Sequence, residues 1–412
     1  MKQRVVVIGG GAAGFFCAVN VARMNPALQV VLLEKSTKLL SKVKISGGGR
    51  CNVSHACLDI TEMSNHYPRG GRFVRRSFHE FFTNDTIEWF RVRGVLLKTE
   101  NDGRMFPVTD SSQTIIDCLL AEAQRYDVIV RTNAEVNRIE SKTDRFQLQL
   151  ANGQLLEADY VCIACGGFPK LAMFDWLQGT GHTIIPPVPS LFTFNIPSRS
   201  LTQLMGVSVN NVKVKIPGTK LEQAGPLLIT HWGLSGPVIL RLSAWGAREL
   251  AEKKYEFSVI VNWVPAYNEQ SLRSFLQQQR HMAAGKKISA KNPFGLPQRL
   301  WDYLLHAADA DSSLRWADLP ARNQNSLVRH LCSHELLVRG KTTFKEEFVT
   351  AGGISLQEID PVSMESKRVK NLFFAGEIMD VDGITGGYNF QHAWTSGFIA
   401  AKTIADRGRK VD

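Results

Sequence analysis

No run of apolar residues in this sequence reaches the roughly 18 that a membrane-spanning helix requires. The first residues, MKQRVVVIGGG, lead directly into glycines, which leaves no space for the apolar core and cleavage site of a signal peptide. Cysteine is scarce, and seven residues, an odd number, do not suggest a disulfide framework. These absences favour a cytoplasmic protein that has no membrane segment.

Two kinds of catalytic site are also absent from the sequence. No group of His, Cys and Asp has the spacing of a metal site, and there is no G-x-S-x-G motif. The composition, with 44% hydrophobic and 21% charged residues, is that of an ordinary globular chain. A length of 412 residues is too large for one compact core, so we expect two or three domains.

Positive charge is in excess and unevenly distributed. The chain has 49 Lys and Arg against 38 Asp and Glu, a net charge of +11. Residues 191–344 contain 19 of these basic and 10 of these acidic residues, so this segment carries +9 and the remainder +2. Such an excess suggests a polyanionic partner. The densest basic loop of the segment contains Lys286, Lys287, Lys291 and Arg299.

The amino-terminal residues have the pattern of a dinucleotide-binding unit. An apolar run at residues 5–8 precedes a G-x-G-x-x-G loop at residues 9–14, and residues 12–24 are predicted to be helical. A second apolar run ends at Glu34, whose carboxylate can accept hydrogen bonds from ribose hydroxyls. The glycines allow a pyrophosphate to approach the N–H groups at the helix start. These spacings predict a Rossmann unit.

The carboxy-terminal residues favour FAD over NAD as the dinucleotide. Residues 372–377 are predicted to be another buried strand, followed by a glycine-rich loop at 382–389 and a helix over about 390–405. FAD is long, so its adenosine half would bind at the first loop and its flavin half at this second one. Backbone N–H groups at Gly386 and Gly387 would approach the flavin pyrimidine edge. The alternative is a glycine-rich turn that only closes the sheet.

Three further stretches complete a resemblance to a known family. They are S-G-G-G-R-C-N at 46–52, T-H-W-G-L-S-G-P at 230–237 and V-T-A-G-G at 349–353. With both ends of the chain, they resemble the YhiN/BaiN/RdsA-like bacterial FAD-dependent oxidoreductases over nearly the whole length. The resemblance implies an α/β fold, in which a Rossmann-like FAD-binding domain is interrupted by an inserted β-rich domain with a helical subdomain.

The expected domain boundaries follow from composition and from this resemblance. The first part of the FAD-binding domain is placed at 1–190, the β-rich domain at 191–264, the helical subdomain at 265–344 and the return segment at 345–412. Members of the family resemble ribosomal-RNA dihydrouridine synthases, and others are linked to amine oxidation or steroid reduction. A single G-x-G-x-x-G unit leaves no second Rossmann domain for NAD(P)H, so the electron donor is NAD(P)H bound at the flavin or a separate reductase.

The motifs and the resemblance together give the candidate site residues. Reduction of uridine needs a hydride at carbon 6 from the flavin and a proton at carbon 5 from an acid, for which Cys51, Tyr388 and His231 are candidates. The residues predicted to bind FAD are Gly9, Gly11, Ala12, Ala13, Gly14, Glu34, Lys35, Gly49, Arg50, Cys51, Asn52, Val136, Ala164, Gly166, Gly376, Glu377, Asp382, Gly386, Gly387, Tyr388 and Asn389.

Several alternatives stay open at this point. The spacing of Cys162 and Cys165 permits a redox dithiol or two small buried residues, and the latter is favoured because residues three apart on a strand face opposite ways. The basic and aromatic stretch 66–93 is a solvated helix face over a core stripe, or a nucleic-acid contact. The leading function is reduction of a 23S rRNA uridine. The others are an FAD oxidase or dehydrogenase of a small amine or other small molecule, and a non-catalytic assembly factor.

Overall fold

The computed structural model describes residues 2–142, 145–290, 292–343 and 349–409. Lys291, one member of the predicted basic loop, lies outside these residues. The chain divides into two compact units, one formed by Met1–Ser190 with Lys345–Asp412 and the other by Leu191–Phe344. Within the described ranges, no helix is both long enough and apolar enough to cross a membrane.

The helices and strands follow one another along the chain. They begin with β1 (Arg4–Ile8), α1 (Ala12–Met24), β2 (Gln29–Leu33), α2 (Ser41–Gly49), β3 (Ser54–His55), α3 (Ile60–Ser64), α4 (Gly71–Ser77), α5 (Thr83–Arg91), β4 (Leu97–Thr99), β5 (Arg104–Pro107), α6 (Ser112–Arg125), β6 (Ile129–Arg131), β7 (Val136–Ser141), β8 (Phe146–Leu150), β9 (Leu155–Ala158), β10 (Tyr160–Ile163) and β11 (Ile184–Pro189). They continue with β12 (Thr193–Asn195), α7 (Arg199–Thr202), β13 (Ser208–Lys215), β14 (Glu222–Ile229), β15 (Gly233–Ser235), α8 (Pro237–Trp245), α9 (Ala247–Glu252), β16 (Glu256–Asn262), α10 (Glu269–Met282), α11 (Gln298–Ala307), α12 (Ala321–Cys332), β17 (His334–Arg339), β18 (Lys341–Thr342), β19 (Thr350–Ile354), β20 (Leu372–Phe374) and α13 (Tyr388–Gly408).

A five-stranded parallel sheet in the order β20-β10-β1-β2-β6 is the centre of the first unit. The strands β20, β10, β1 and β2 are buried on both faces, as expected of β-branched and aromatic runs in a parallel sheet, whereas the edge strand β6 is partly exposed. Because parallel strands end at one edge, the loops that follow β1, β2, β10 and β20 lie together there. The candidate FAD residues of these four loops therefore share one edge of the sheet.

Two helices that pack on this sheet agree closely with the sequence. α1 spans the predicted residues, and α13 begins at Tyr388, two residues before its predicted start. The helices approach each other closely at Gly397, where a Cβ atom would lie 2.7 Å from the carbonyl oxygen of Ala13. The aromatic stripe of the 66–93 stretch is buried, which confirms a core-facing role for Phe73, Phe78, Phe81, Phe82, Trp89 and Phe90.

The β-branched runs over 128–156 predict a strand meander, but one of these strands belongs to another sheet. β6 pairs in parallel with β2 and extends the central sheet, whereas β7, β8 and β9 form a separate antiparallel sheet. A strand of three residues with two β-branched side chains fits either sheet, so its pattern alone could not assign it.

The second unit contains a seven-stranded sheet in the order β17-β16-β13-β14-β15-β12-β18. The helices α10, α11 and α12 follow β16, and their apolar faces join the strands in one core that includes Trp263, Trp301 and Trp316. The sequence predicts a mostly helical stretch from Pro265 to about Leu337, but this prediction is wrong at its end, because β17 pairs with β16 from His334 onward. The alternation of buried and exposed residues in β17 is that of a strand.

Candidate flavin-binding site

The first glycine loop is shaped by close contacts with its neighbours. Gly9 has a φ of +116°, and a Cβ atom there would lie 2.4 Å from the carbonyl oxygen of Ala164. A Cβ on Gly14 would lie 1.9 Å from the carbonyl oxygen of Gly9. At Gly11, in contrast, no atom lies within 4 Å of the added carbon. Gly9 and Gly14 therefore allow the loop to pack closely against its neighbours, and Gly11 leaves the start of α1 open to an anion.

Glu34 is held at the end of β2 by hydrogen bonds. Its Oε2 accepts from the N–H of Gly10 at 2.9 Å, and its Oε1 accepts from the N–H and the hydroxyl of Ser36, each at 2.9 Å. The adjacent Lys35 places its Nζ 5.7 Å from the ring centre of Phe168. The carboxylate is thus fixed beside the glycine loop, and each oxygen can accept further hydrogen bonds.

The loops after β10 and β20 complete this edge. Gly166 faces open space, while Ala164 is buried and donates its N–H to the Ile8 carbonyl at 2.8 Å. Gly376 donates its N–H to Ser396 Oγ at 2.8 Å, and a Cβ there would lie 2.9 Å from that of Ala13. These contacts bring Gly376 to the start of α1.

The carboxylate of Glu377 is already paired within the protein. Its Oε2 contacts Lys42 Nζ at 2.7 Å, and its Oε1 accepts from the backbone N–H of Thr350 at 2.8 Å. Another residue predicted to bind FAD, Val136, is the first residue of β7, and its side chain is buried.

The 46–52 stretch covers the end of α2, where Ser46, Gly47 and Gly48 depart from helical geometry, and the residues that follow it. Gly48 and Gly49 face open space, whereas the guanidinium of Arg50 lies 3.9 Å from the ring centre of Phe106 and pairs with Glu100 at 2.5 Å. Cys51 has no exposed surface, and this burial raises the pKa of its thiol to about 12. A side chain without accessible surface cannot touch a bound molecule. The burial of Cys51 therefore counts against its predicted roles as proton donor and cofactor contact.

Asn52 connects this stretch to the loop at 382–389. In the amide orientation that satisfies both neighbours, its oxygen accepts from the N–H of Gly387 at 2.9 Å and its nitrogen donates to the Ser54 carbonyl at 3.0 Å. Asn389 closes the same loop, since it accepts from the N–H of Gly383 at 2.8 Å and donates to the Gly383 carbonyl at 3.0 Å. The prediction that the Gly387 N–H points to the flavin is corrected, because that N–H is used by Asn52.

A buried ion pair fixes the beginning of the loop. Asp382 has no exposed surface and pairs through both carboxylate oxygens with the guanidinium of Arg69, whose Nε lies 2.6 Å from Oδ1. The hydroxyl of Ser190 also donates to Asp382. Burial raises the pKa of Asp382, while Arg69 opposes this shift. Asp382 therefore shapes the loop, a role that sequence spacing could not reveal because its partner lies in a distant basic stretch.

Tyr388 lies within a cluster of aromatic rings at the start of α13. Its ring is stacked on His55 at 4.9 Å and tilted against His66 at 4.7 Å. The Tyr67 hydroxyl donates to the Tyr388 carbonyl at 2.6 Å. Tyr388 is 3% exposed, and the two imidazoles are half-buried. Sequence reasoning missed His55, His66 and Tyr67, since no motif spacing links them to Tyr388.

The third candidate acid, His231, belongs to the second unit. It lies on the exposed turn between β14 and β15, with its ring 4.7 Å from that of Trp232, which is 48% exposed. Of the cysteine pair, Cys162 lies on β10 and Cys165 follows that strand. Cys162 is buried in hydrogen-bonding contact with Cys17, and burial raises the pKa of Cys165 to about 12. Two small packed residues are the better interpretation.

The arrangement at this edge fits FAD. Gly11 leaves open space at the α1 amino terminus, where the first N–H groups of a helix are unpaired, and Gly48, Gly49 and Gly166 face open space in their own loops. One buried side chain at this edge also has a polar atom without a partner among the described residues, Thr350 Oγ1, which lies beside Gly167. No group of three potential metal ligands occurs within the ranges that the structure describes.

Comparison with known proteins identifies the family. The sequence matches the family model described as HI0933-like protein Rossmann domain over residues 3–403. The chain belongs to this family. A ribosomal RNA dihydrouridine synthase of Escherichia coli is 30% identical to this HI0933-like protein over 410 residues and 97% of each chain. A 3-dehydro-bile acid delta(4,6)-reductase of Clostridium scindens is 27% identical over 98% of this chain and 100% of its own.

Solved structures show the same fold at low sequence identity. A 3-ketosteroid-delta4-(5alpha)-dehydrogenase from Rhodococcus jostii superposes with a TM-score of 0.51 at 14% identity, covering 97% of both chains. FrdA of the E. coli quinol fumarate reductase gives 0.51 at 15%, covering 100% of this chain and 72% of its own. The predictions of the family, of a Rossmann-like α/β fold, of FAD as cofactor and of an FAD-dependent oxidoreductase are confirmed.

Proposed function

We propose that this HI0933-like protein reduces a uridine of 23S rRNA to dihydrouridine. The observation that carries the proposal is the concentration of positive charge, +9, in residues 191–344. A relative named as a ribosomal RNA dihydrouridine synthase covers 97% of this chain. An RNA substrate accounts for this charge through phosphate contacts, whereas a small apolar substrate does not require it. We propose the segment as the substrate-recognition platform.

The residues of the first unit have separate proposed roles in holding FAD. The chemistry that FAD supplies, once reduced, is hydride transfer to carbon 6 of the uracil ring. N–H groups at residues 11–14 bind the pyrophosphate, and Glu34 accepts hydrogen bonds from the ribose. Gly166, Gly376 and the 382–389 loop shape the space for the flavin half.

We assign the proton for carbon 5 of the uracil to Tyr388. Tyr388 is the first residue of α13, and its ring lies beside Gly386 and packs against His55 and His66. Because only 3% of Tyr388 is exposed, the half-buried imidazoles provide the surface through which a proton reaches it. Burial lowers the pKa of His55, so this ring is neutral near pH 7. Its Nε2 donates to the Asp102 carbonyl at 3.1 Å, which leaves Nδ1, without a partner in the described part of the chain, to accept a proton.

Mass-spectrometric nucleoside analysis tests the proposal. Dihydrouridine should disappear from the 23S rRNA of a strain that lacks this protein, and the wild-type gene should restore it. NAD(P)H or a separate reductase in the cytoplasm would supply the electrons. Unchanged dihydrouridine in the deletion strain would overturn the proposed reaction.

A second candidate function is reduction of a small apolar molecule. The observation that favours it is the relative named as a 3-dehydro-bile acid delta(4,6)-reductase, which matches 98% of this chain. This function predicts reoxidation of the reduced flavin by an unsaturated 3-ketosteroid, at a rate that depends little on salt. An RNA substrate predicts a strong decrease in binding with salt instead.

A further inference from the structure

Three arginines form an exposed strip on α4, which we call the α4 arginines: Arg72, Arg75 and Arg76. All three are exposed, while Phe73 and Val74 of the same helix are buried. Within the described part of the chain, none of the three makes an ion pair or a side-chain hydrogen bond. The helix is therefore held rigidly by its apolar face and presents three positive charges to solvent.

The segment before α4 is joined to the glycine-rich loop at 382–389 by a hydrogen bond and an ion pair. The N–H of Ile384 donates to the carbonyl of His66 at 3.0 Å, and Arg69 forms the buried ion pair with Asp382. Arg69 and Asp382 also form an isolated antiparallel bridge. Residues 66–69 thus run along the loop that precedes Tyr388, and α4 begins two residues later. The α4 arginines have a fixed position relative to the proposed reaction site.

Helix stability explains only part of this arrangement. Arg75 and Arg76 lie in the last turn of α4, where a cation interacts favourably with the helix dipole. Arg72 lies in the first turn, where the same dipole disfavours a cation. Other arginines of this unit are paired, such as Arg93 with Glu122 at 2.6 Å. A ligand of opposite charge would account for all three.

We propose that the α4 arginines bind phosphates of the RNA substrate and hold the strand while one unstacked base reaches the site beside Tyr388. The inference rests on the proposed function. Arg72 and Arg76 are four residues apart, about 6 Å along the helix axis, so the strip spans more than one phosphate group. A base must leave its stack to be reduced, which costs less in a single-stranded loop than in a duplex. Phosphate contacts on a rigid helix fix the position of that base.

The test compares two triple variants of the FAD-loaded protein. R72Q/R75Q/R76Q removes the strip, and R125Q/R138Q/R145Q removes the same charge from exposed arginines that are paired with Glu122, Glu140 and Glu157. Fluorescence anisotropy follows binding of a short labelled oligouridylate over a series of salt concentrations. Flavin absorbance and melting temperature establish that each variant is folded, and R72Q alone serves if the triple variant is not.

We expect RNA binding to depend less on salt concentration in R72Q/R75Q/R76Q than in the wild type, and to be unchanged in this respect in the control. Each lost phosphate contact on a single strand reduces the slope of log K against log salt by about 0.7. Over a four-fold rise in salt, the wild type should therefore lose roughly 20-fold more affinity than R72Q/R75Q/R76Q. R72Q alone should lower the slope by about 0.7, and the control should keep the wild-type slope.

Three results would overturn the inference. They are a wild-type slope in the strip variant, equal losses in both triple variants, and binding to phosphatidylglycerol vesicles but not to RNA. The dihydrouridine content of the deletion strain is a separate readout. If it stays normal while the strip variant alone loses RNA binding, the proposed reaction fails and the RNA surface stands. If dihydrouridine is lost and the strip has no effect, only the surface is wrong.

Discussion

The side-chain oxygen of Asn52 accepts a hydrogen bond from the backbone N–H of Gly387 at 2.9 Å. This bond joins a turn near the amino terminus to a loop near the carboxy terminus. Gly387 has a φ of +95°, and a Cβ atom there would lie 2.4 Å from the carbonyl oxygen of Ser54. The two glycine-rich stretches are therefore parts of one structure, and each fixes the shape of the other.

Replacement of Gly387 by alanine should weaken FAD binding. The added methyl group must push away the Ser54 backbone, and the positive φ adds strain of about 1–2 kcal/mol. We expect at least a ten-fold increase in the dissociation constant for FAD, measured by quenching of flavin fluorescence. The matched control is G153A, because Gly153 also has a positive φ, +83°, but faces open space. Equal affinities in G387A and wild type would contradict this role of the loop.

Replacement of Asp382 by asparagine should destabilise the first unit. The change leaves the Arg69 guanidinium buried without its counter-charge, and breaking a buried pair costs about 3–5 kcal/mol. Urea unfolding followed by flavin release should show this loss. The variant R91M removes an exposed pair with Glu88 and should unfold as the wild type does. A D382N protein with wild-type stability would show that the pair does not hold the loop.

The sequence predicted the parts of the site that are local in the chain. The first β-α-β unit and the glycines of the second loop follow from spacing, because each depends on neighbours a few residues away. The partners of Asp382 and Tyr388 could not be predicted in this way. Arg69 and His55 reach them only after the chain has folded, and a basic or aromatic residue in a mixed stretch gives no indication of its partner.

Burial also could not be read from the motif that contains Cys51. A cysteine in a glycine-rich turn is compatible with an exposed thiol, and only the packing of residues 46–52 encloses it. β6 shows the same limitation for strands, since its three residues suit a meander or a parallel sheet equally well. Only its parallel pairing with β2 assigns β6 to the central sheet.

Two substitutions separate the candidate proton donors. Y388F removes the phenol and should reduce the rate of dihydrouridine formation by about 10²–10⁴-fold, the usual contribution of a general acid. C51A removes a thiol with no exposed surface and a pKa of about 12, so it should keep the rate and lose only stability.

Both rates are measured by inducing each variant in the deletion strain and following dihydrouridine in new 23S rRNA with time. FAD content should be the same in the two purified proteins. Loss of the modification in C51A but not in Y388F, at equal FAD content, would return the role of acid to Cys51.

The second unit should become less stable as the pH is lowered, because one buried histidine is protonated more easily in the unfolded chain. His334 is 5% exposed, its Nδ1 accepts the indole N–H of Trp263 at 3.1 Å, and burial, with a smaller contribution from His330, lowers its pKa to about 4. The unfolded chain, with an ordinary pKa of about 6.5, binds this proton first. Stability is therefore complete above pH 6.5 and decreases as the pH falls towards 4, by about 3 kcal/mol at most.

Urea unfolding between pH 7 and pH 4, followed by tryptophan fluorescence, measures this dependence. H334Q keeps an oxygen that can accept from Trp263 but does not titrate, so its stability should fall less steeply over this range. Burial also lowers the pKa of His392, in the first unit, to about 4. The stability of the first unit should therefore still decrease with falling pH in H334Q. The control H79Q replaces an exposed histidine and should follow the wild type. The same steep decrease in H334Q would assign the acid sensitivity to other groups.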